Sequence, residues 1–353
     1  MGGNIKSGLI ILGTIIILLV VGSVLLLRRG ETAVVSGADN NIYVDIYDSS
    51  KAYNGTTIFA DLHDNKNTRI VEVDMQGRIV WQYLLPESLR QYTDPGFDVK
   101  VLSDNHVLFV LPLHGVYEID RSGTIVWSYL DSKVSHDANR LANENTLVVW
   151  GGGDFKNDAQ VKEINPSGQV VWSWYAKDHF NQPPYNTINK EGWTHTNAAT
   201  RLQNGNTLVN LRNFALTVEV NPAGDVVWSY DWHSFGDNAD PHDPEILSDN
   251  HLLIALQNDS PYSAVEIDRS TGENVWHFSA SGLRTTRDAD RLPNGNTLLV
   301  TVSTVVPGSE SRIIEVTPSG EVVWRLRIIN APVGMTPGWI YKADRIGTVS
   351  HPS

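Results

Sequence analysis

A segment that ends in tryptophan recurs six times along the chain, and it constrains the fold more than any other feature of the sequence. The copies read VDMQGRIVWQY, IDRSGTIVWSY, INPSGQVVWSW, VNPAGDVVWSY, IDRSTGENVWHF and VTPSGEVVWRL. Their tryptophans are spaced by 46, 45, 56, 48 and 48 residues and are Trp81, Trp127, Trp172, Trp228, Trp276 and Trp324. Each copy has the pattern of a β-hairpin, with an apolar strand, a glycine turn and a second strand. We expect the indoles to be buried between adjacent sheets.

A second hairpin pattern precedes each tryptophan segment. It reads RLANENTLVVW, RLQNGNTLVNL, ILSDNHLLIAL and RLPNGNTLLVT, with a weaker copy, VLSDNHVLFVL, from Val101. Asn-Gly or its equivalent forms the tight turn, so one unit contains four strands in about 48 residues. Six such units, with no helical periodicity after residue 27, predict an all-β fold, a six-bladed β-propeller.

The two ends of the repeat region predict how the ring closes. The first unit begins abruptly near Asn54 and has no clear innermost strand, whereas the chain ends with GWIYKADRI, which aligns Arg345 with Arg140. The last strand is therefore expected to complete the first blade, which leaves no free sheet edge there. The propeller is predicted to span residues 44–348.

The N-terminus carries an uncharged apolar run over residues 8–27, long enough to cross a bilayer as a helix of about 30 Å. A transmembrane helix is predicted there, with residues 28–43 as a linker. A cleavable signal peptide is the alternative, although its apolar core is normally about 7 to 15 residues. Two sequons, at Asn54 and Asn258, and eleven tryptophans favour an extracytoplasmic propeller. The expected location is a single-pass protein of the cell membrane.

Composition excludes several chemistries. The 353 residues include no cysteine, which excludes disulfides, thiolate nucleophiles and iron–sulfur clusters. Lys6, Arg28 and Arg29 flank the apolar run, and the other 24 basic residues face 40 acidic ones, a net charge of −16. Nucleic acid is therefore not an expected partner, because phosphate binding needs a basic stripe. An anionic substrate would need a local positive cluster. No cofactor is predicted.

The start of each innermost strand supplies one residue to the central channel. Alignment on Arg140 places polar and aromatic residues at this level, namely Phe97, His136, Asn197, His242, Arg287 and Tyr341. In the unit that contains Asn197 the preceding loop is longer, and His195 adds a third imidazole at the same mouth. A polar lining is the simplest explanation, but three histidines at one level, while the other eight scatter, favour a site.

Arg212 lies where the second strand of the same unit turns, and 17 residues separate it from His195 across one hairpin. It is a candidate member of the site or a solvated turn residue. The aspartates that follow the ring positions are interpreted as structural groups that bind backbone between units; they are Asp98, Asp137, Asp243 and Asp288. His106 and His251 occupy the turn equivalent to the Asn-Gly site and are not expected to be catalytic.

From about residue 50 to 346 these motifs resemble the arylsulfate sulfotransferase family, six-bladed propellers that move a sulfuryl group from one phenol to another without a nucleotide. In that family a histidine on an inner strand is transiently sulfurylated, with two histidines and an arginine around it. The resemblance implies that His242 in PHDPEIL is the nucleophile, His136 in SHDANRL and His195 in THTNAATRL its partners, and Arg212 the arginine. This sequence lacks the N-terminal β-domain and cysteine pair of the bacterial enzymes.

Sulfuryl transfer suits these residue types on chemical grounds. It needs a neutral nitrogen nucleophile, cations for the sulfonate oxygens and a proton donor for the leaving phenolate. His242 would attack sulfur while Arg212 and Arg287 hold the oxygens and keep His242 unprotonated. His136 or His195 would protonate the leaving oxygen and then deprotonate the acceptor. Asn197 would also contact the substrate, and Phe97 or Tyr341 would carry its aromatic ring.

Two other functions fit the same residues. A non-catalytic propeller could bind a sugar, a sulfated ligand or a protein on this face. The second alternative function is a quinone- or metal-dependent oxidoreductase. Quinone-cofactor propellers contain repeats similar to IDRSTGENVW, and three imidazoles could hold a metal.

Overall fold

The structure, a computed structural model, describes residues 31–33, 39, 41–64, 66–93, 96–258, 260–279, 285–302, 310–329 and 340–347. Twenty-six strands fill most of this part of the chain, and the predicted all-β fold is confirmed. Two strands, β1 (Glu31–Ala33) and β2 (Ile42–Tyr47), precede the repeats. The helical elements are short and comprise the one-turn α-helix Lys177–Phe180 and the 3-10 helices Glu87–Tyr92, Tyr185–Thr187, Arg212–Phe214 and Trp232–Phe235.

The other strands form six antiparallel units of four strands. Unit 1 contains β3 (Gly55–Asp61), β4 (Arg69–Val73), β5 (Ile79–Leu84) and the last strand of the chain, β26 (Ala343–Gly347). Unit 2 contains β6 (Val99–Val101), β7 (Val107–Leu111), β8 (Gly115–Ile119) and β9 (Ile125–Leu130). Unit 3 contains β10 (Ser135–Arg140), β11 (Thr146–Val149), β12 (Val161–Ile164) and β13 (Val170–Trp174).

The remaining units follow the same order of strands. Unit 4 contains β14 (Thr196–Arg201), β15 (Thr207–Leu211), β16 (Leu216–Val220) and β17 (Val226–Asp231). Unit 5 contains β18 (Ala239–Ile246), β19 (His251–Asn258), β20 (Ala264–Asp268) and β21 (Asn274–Phe278). Unit 6 contains β22 (Thr285–Arg291), β23 (Thr297–Val302), β24 (Glu310–Val316) and β25 (Val322–Ile329). One pair, Gln257 with Thr285, joins the sheets of units 5 and 6.

The hairpin between β16 and β17 shows how the repeat folds. Val218 and Val220 are fully buried on β16, the first strand of this hairpin. Gly224 makes the turn with φ of 99°, a left-handed conformation that glycine adopts without a steric penalty. The outer strand β17 alternates between half-buried and exposed residues because it lies at the sheet edge. The pattern that predicted the hairpins therefore also sets which strand faces the core.

Each unit contacts the next, and unit 6 contacts unit 1. First strands lie side by side, with β10 against β14, β14 against β18 and β18 against β22. The last strand, β26, pairs with β3 and also contacts β6 and β23. These contacts bring the beginnings of the innermost strands together.

A repeated arginine stabilises each junction between units. Its guanidinium carbon lies 4.3 to 5.3 Å from the centre of the preceding unit's tryptophan ring, and the same guanidinium pairs with a glutamate of that unit. The arginines are Arg121, Arg140, Arg201, Arg269, Arg291 and Arg345. Trp81 and Trp324 are buried, and each lies on a strand to which an extra strand, β1 or β2, is added. The other four repeat tryptophans lie on the outermost strand of their unit and are half-buried.

Two strands lie within, or begin within, the predicted linker over residues 28–43. Glu31–Ala33 pairs with β5, and Ile42–Tyr47 pairs with β25, so both segments add a strand to an outer sheet edge. Edge strands have unpaired backbone groups that such segments satisfy. The predicted transmembrane helix, residues 8–27, lies outside the described residues. Within the described ranges, no helix has the length and apolarity needed to cross a bilayer.

Candidate functional site

A β-bulge recurs near the start of the first strand in units 3 to 6. The strand register shifts between Ser135 and Ala138, and at the corresponding places in β14, β18 and β22. His136 and His195 have positive φ values of 65° and 48°. Such conformations cost of order 1–3 kcal/mol and persist where the surroundings enforce them, often at functional sites. The bulges re-aim side chains, so that adjacent residues such as His136 and Asp137 are both buried.

Three of the predicted groups form one hydrogen-bonded cluster. The Nε2 atoms of His195 and His136 are 3.2 Å apart, and the two rings meet edge to face at 4.8 Å between centres. Arg212 donates from Nη1 to Nε2 of His195 at 2.8 Å. All three side chains are buried. The structure therefore brings together residues from units 3 and 4, as the alignment predicted.

These bonds determine where the protons lie. Nδ1 of His195 donates to the carbonyl of Glu191 at 2.8 Å, so its Nε2 is the acceptor for Arg212. His136 can then bond to His195 only by donating from its own Nε2. Nδ1 of His136 is left as an acceptor, and this buried atom has no hydrogen-bond partner among the described residues. A substrate proton is the kind of partner that such a lone pair accepts.

His242 contacts the same tyrosine, Tyr341, as His136 does. The centre of the Tyr341 ring is 5.5 Å from that of His136 and 6.4 Å from that of His242. Nδ1 of His242 donates to the carbonyl of Asp240 at 3.3 Å, which leaves the lone pair on Nε2. That nitrogen is the candidate nucleophile.

Two arginines supply positive charge. Ion pairs hold Arg212 on its far side, from Nη2 to Glu191 at 3.2 Å and from Nε to Asp240 at 3.4 Å. The guanidinium carbon of Arg287 lies 5.7 Å from the centre of the Tyr341 ring. The predicted partners Arg212, Arg287 and Tyr341 are thus all placed beside the imidazoles. This is the local positive cluster that an acidic chain needs to bind an anion.

Burial and these cations keep the histidines neutral. Burial, then the charge of Arg212, lowers the pKa of His195 to about 3. Burial, then Arg212 and Arg287, holds the pKa of His242 well below its ordinary value. The pKa of His136 is also well below that value, because of burial first and then its neighbour His195. All three rings are neutral at pH 7 and can act as nucleophiles or bases.

Phe97 and Asn197 are not placed as expected. The Phe97 ring is fully buried in a hydrophobic cluster of units 1 and 2, with its centre 5.9 Å from that of Phe109, so it belongs to the core and not to a substrate surface. Asn197 is also buried, and its Nδ2 donates to the carbonyl of Pro241 at 3.0 Å. Its side chain therefore binds backbone next to His242.

A second layer of charged side chains lies one residue beyond the ring positions. Nζ of Lys342 bonds to Asp137 at 3.1 Å and to Asp243 at 2.8 Å, and Nζ of Lys100 bonds to Asp137 at 2.5 Å. The predicted backbone role of the aspartates is confirmed for Asp137 and Asp288, which accept from the amides of Ala199 and Ala343 in neighbouring units. The lysines were missed, although Lys342 directly follows the ring residue Tyr341 and Lys100 lies two residues after Asp98.

Three groups of side chains could offer metal ligands within 4.8 Å of one another. They are Asp104, His106 and Glu118; Asp249, His251 and Glu266; and Asp243, Asp288 and Asp290. The first two have a structural explanation, because His106 and His251 bond to a glutamate as Asn145 does in unit 3. Among the described residues the three ring imidazoles form no such group. A cavity of about 720 Å³ reaches Asp243, Glu245 and Asp290 but none of the ring histidines.

Comparison with known proteins identifies the family. The arylsulfotransferase (ASST) family model matches residues 34–235, and the chain belongs to that family. The match contains His136, His195 and Arg212 and ends before His242. A second family model, described as outer membrane protein assembly factor BamB, matches residues 157–349, which contain repeats 3 to 6. No curated protein matches the chain.

Solved structures share the fold at low identity. A protein of unknown function from Bacteroides caccae is 17% identical with a TM-score of 0.56, and the alignment covers 82% of this chain and 98% of that one. Virginiamycin B lyase from Staphylococcus aureus is 13% identical with a TM-score of 0.50, over 87% of this chain and 89% of the lyase. These similarities concern the propeller-like fold alone.

Proposed function

We propose that this protein is an aryl sulfotransferase, built on a six-bladed propeller, which transfers a sulfuryl group from an aryl sulfate to a phenol through a sulfohistidine on His242. One observation carries the proposal: three neutral, buried imidazoles from separate units lie in one series of contacts with Tyr341, Arg212 and Arg287. Membership of the arylsulfotransferase family supports the class of reaction.

In the first half-reaction Nε2 of His242 attacks sulfur and forms an N–S bond. The S–O bond to the aryl group breaks, and its electron pair leaves on the phenolate oxygen. The proton stays on Nδ1, which continues to donate it to the Asp240 carbonyl. The sulfurylated imidazole ring is therefore cationic, and the sulfonate attached to it is anionic. Arg212 and Arg287 neutralise the sulfonate oxygens, an electrostatic contribution of the kind that is often the largest in catalysis.

Protons move through His136 and His195. The negative charge of the bound aryl sulfate raises the pKa of the adjacent imidazole, so that His136 takes up a proton together with the donor. That proton goes to the departing phenolate from Nδ1, the atom without a partner. In the second half-reaction the neutral Nδ1 accepts the proton of the incoming phenol, whose oxygen attacks sulfur and releases His242. His195 holds the orientation of His136 through the contact between their Nε2 atoms.

A donor-plus-acceptor assay tests the proposal. The full chain is incubated with a chromogenic aryl sulfate and a phenol, without any nucleotide, and both products are measured. We expect phenol release that depends on the acceptor and follows ping-pong kinetics. Ligand binding without release would instead identify the non-catalytic propeller, and absorbance and metal analysis of the same sample test for the oxidoreductase.

We also propose that residues 8–27 anchor the protein in the cell membrane with the propeller outside the cytoplasm. The length and apolarity of this segment support the anchor. Asn54, in an exposed position, offers a test of the side. If cells that glycosylate exported proteins modify the chain, and modify Asn54→Gln less, this orientation is supported. If protease added to sealed cells does not cleave the propeller, the orientation is contradicted.

A further inference from the structure

Two polar side chains face each other in the core of unit 4. Asn210 on β15 lies directly opposite Thr217 on β16, and both are fully buried. The same register positions hold aliphatic pairs in all the other units. These pairs are Ala60 with Ile70, Val110 with Val116, Val149 with Val161, Ala255 with Ala264, and Val300 with Ile313. The fold therefore does not need a polar pair at this position.

The polar pair forms a buried chain of hydrogen bonds that ends beside His242. Trp232 donates from Nε1 to the Thr217 hydroxyl at 2.9 Å, and that hydroxyl donates to Oδ1 of Asn210 at 2.8 Å. Nδ2 of Asn210 donates to the carbonyl of Pro241 and to Oδ1 of Asn197, both at 2.6 Å. The Pro241 carbonyl thus accepts from two asparagines and directly precedes His242.

The energetics favour a local purpose for these bonds. A buried polar network is costly unless all its members are paired, and replacing both partners with apolar groups is often neutral or stabilising. The strand register breaks just after His242, where a bulge disrupts the backbone ladder. Side chains can hold backbone where the ladder cannot. Thr217 fixes the amide of Asn210 with its nitrogen toward Pro241, because only an amide oxygen can accept from the hydroxyl.

We propose that Asn210 is a positioning residue for His242, acting through the Pro241 carbonyl with support from Thr217 and Asn197. This inference rests on the proposed function, in which His242 is the nucleophile. The asparagine holds the backbone so that Nδ1 of His242 reaches the Asp240 carbonyl and Nε2 points to the substrate. A misplacement of about 1 Å can reduce a rate about a hundredfold.

The test replaces Asn210 with the residue that three other units have. In Asn210→Val we expect a lower melting temperature, because the buried Thr217 hydroxyl and Oδ1 of Asn197 lose their partner, and a sulfuryl transfer rate lower by about tenfold or more. Thr217→Val keeps the Asn210 side chain but removes the hydroxyl that orients its amide. It should reduce the transfer rate by a smaller factor. The matched control is Asn296→Ala, a buried asparagine in unit 6 that bonds to Glu315 and to the Lys51 carbonyl. That variant should melt earlier but transfer at the parental rate.

A second readout separates this inference from the proposed function. In the full chain labelled with 15N-histidine, the His242 ring signals report which nitrogen carries the proton, whether or not transfer occurs. Asn210→Val should shift these signals toward a mixture of tautomers and leave those of His251 unchanged. Unchanged His242 signals and an unchanged rate in Asn210→Val overturn the proposal. So does an equal loss of rate in the destabilised control Asn296→Ala, because the rate would then follow stability alone. If the parent chain transfers nothing, the proposed function fails and the His242 signals alone decide the role of Asn210.

Discussion

Nη1 of Arg212 lies 2.8 Å from Nε2 of His195, while carboxylates of Glu191 and Asp240 hold the other side of the guanidinium. A lysine cannot make these three contacts from one ammonium group. We therefore expect Arg212→Lys to lower kcat/KM for the aryl sulfate by about a hundredfold, the size seen when one oxyanion donor is lost. Arg201→Lys, in the arginine–tryptophan contact of the same unit, is the control and should alter stability without this loss.

Loss of His242 removes the nucleophile. His242→Ala should abolish transfer. The melting temperature should stay near that of the parent, because within the described structure this ring makes a single hydrogen bond, to the Asp240 carbonyl. A quenched reaction of the parent should carry an acid-labile sulfuryl group on His242, located by peptide mass spectrometry. His251→Ala, which removes a surface imidazole bonded to Glu266, serves as the control. A label on His136 or His195 would contradict the assigned roles.

Activity should persist in mild acid. An ordinary histidine nucleophile is protonated below about pH 6.5, and its reaction slows accordingly. The pKa of His242 is held well below that value by burial and by the two arginines, so its Nε2 stays unprotonated at lower pH. We expect kcat/KM to show no loss from His242 protonation between pH 7 and 5.5, measured with a donor whose leaving group needs no proton. A rate that halves near pH 6.5 would contradict this.

Stability, in contrast, should fall as pH falls. His195 is neutral in the folded chain down to a pKa of about 3, but in the unfolded chain it binds a proton below about pH 6.5. Between these values the unfolded state binds more protons, so this group lowers the free energy of unfolding by up to about 1.4 kcal/mol for each unit of acidification. In His195→Gln this contribution is absent. The stability difference between the two chains should therefore change by this amount between pH 5.5 and 4.5 in urea titrations.

The difference between chains is the quantity to measure, because other buried groups act in the opposite direction. Burial raises the pKa of Asp98 to about 7, so the folded state binds more protons there between about pH 4 and 7 and is stabilised by acid. This contribution is common to parent and variant. Parallel slopes for the two chains would show that His195 titrates normally.

The closing junction should be the most sensitive to charge removal. Arg345 and Glu315 have side chains with 0% exposure and lie 3.1 Å apart. Arg345→Ala leaves the glutamate buried without its partner, which typically costs about 3–5 kcal/mol. Arg78→Ala removes a pair whose arginine is 64% exposed, and such surface pairs contribute about 0–1 kcal/mol. Denaturant titrations should show this contrast, and equal losses would contradict it.

The repeat made much of the fold predictable. Regular alternation around Trp81 to Trp324 and the Asn-Gly turns predicted the hairpins, and alignment of Arg345 with Arg140 predicted where the last strand belongs. The predicted linker, residues 28–43, includes Glu31–Ala33 and the first two residues of Ile42–Tyr47, because both lie outside the repeat. What makes them strands is the free edge of a sheet that is distant in sequence, which local pattern does not reveal.

The site was predictable where residues share a repeat position. His136 and His242 lie at one level because β-strands of equivalent register start at one level, and the longer loop added His195. Phe97 holds the same position but packs into the core, since it belongs to a hydrophobic cluster formed by units 1 and 2. Asn210 lay outside the prediction because it lies at the end of a second strand and not at the start of a first one. Its position still differs visibly between units, as in NTLVN against NTLVV.

The strand β26 also has a consequence for biosynthesis. Tyr341 and Lys342 immediately precede it and leave the ribosome after all of units 2 to 6, whereas β3, the sheet partner of β26, is made before them. A nascent chain that has made every residue up to 330 possesses all three imidazoles and both arginines but not the aromatic ring that contacts His136 and His242. Assembly of the competent centre and completion of unit 1 are thus one event, which cannot precede the synthesis of unit 6.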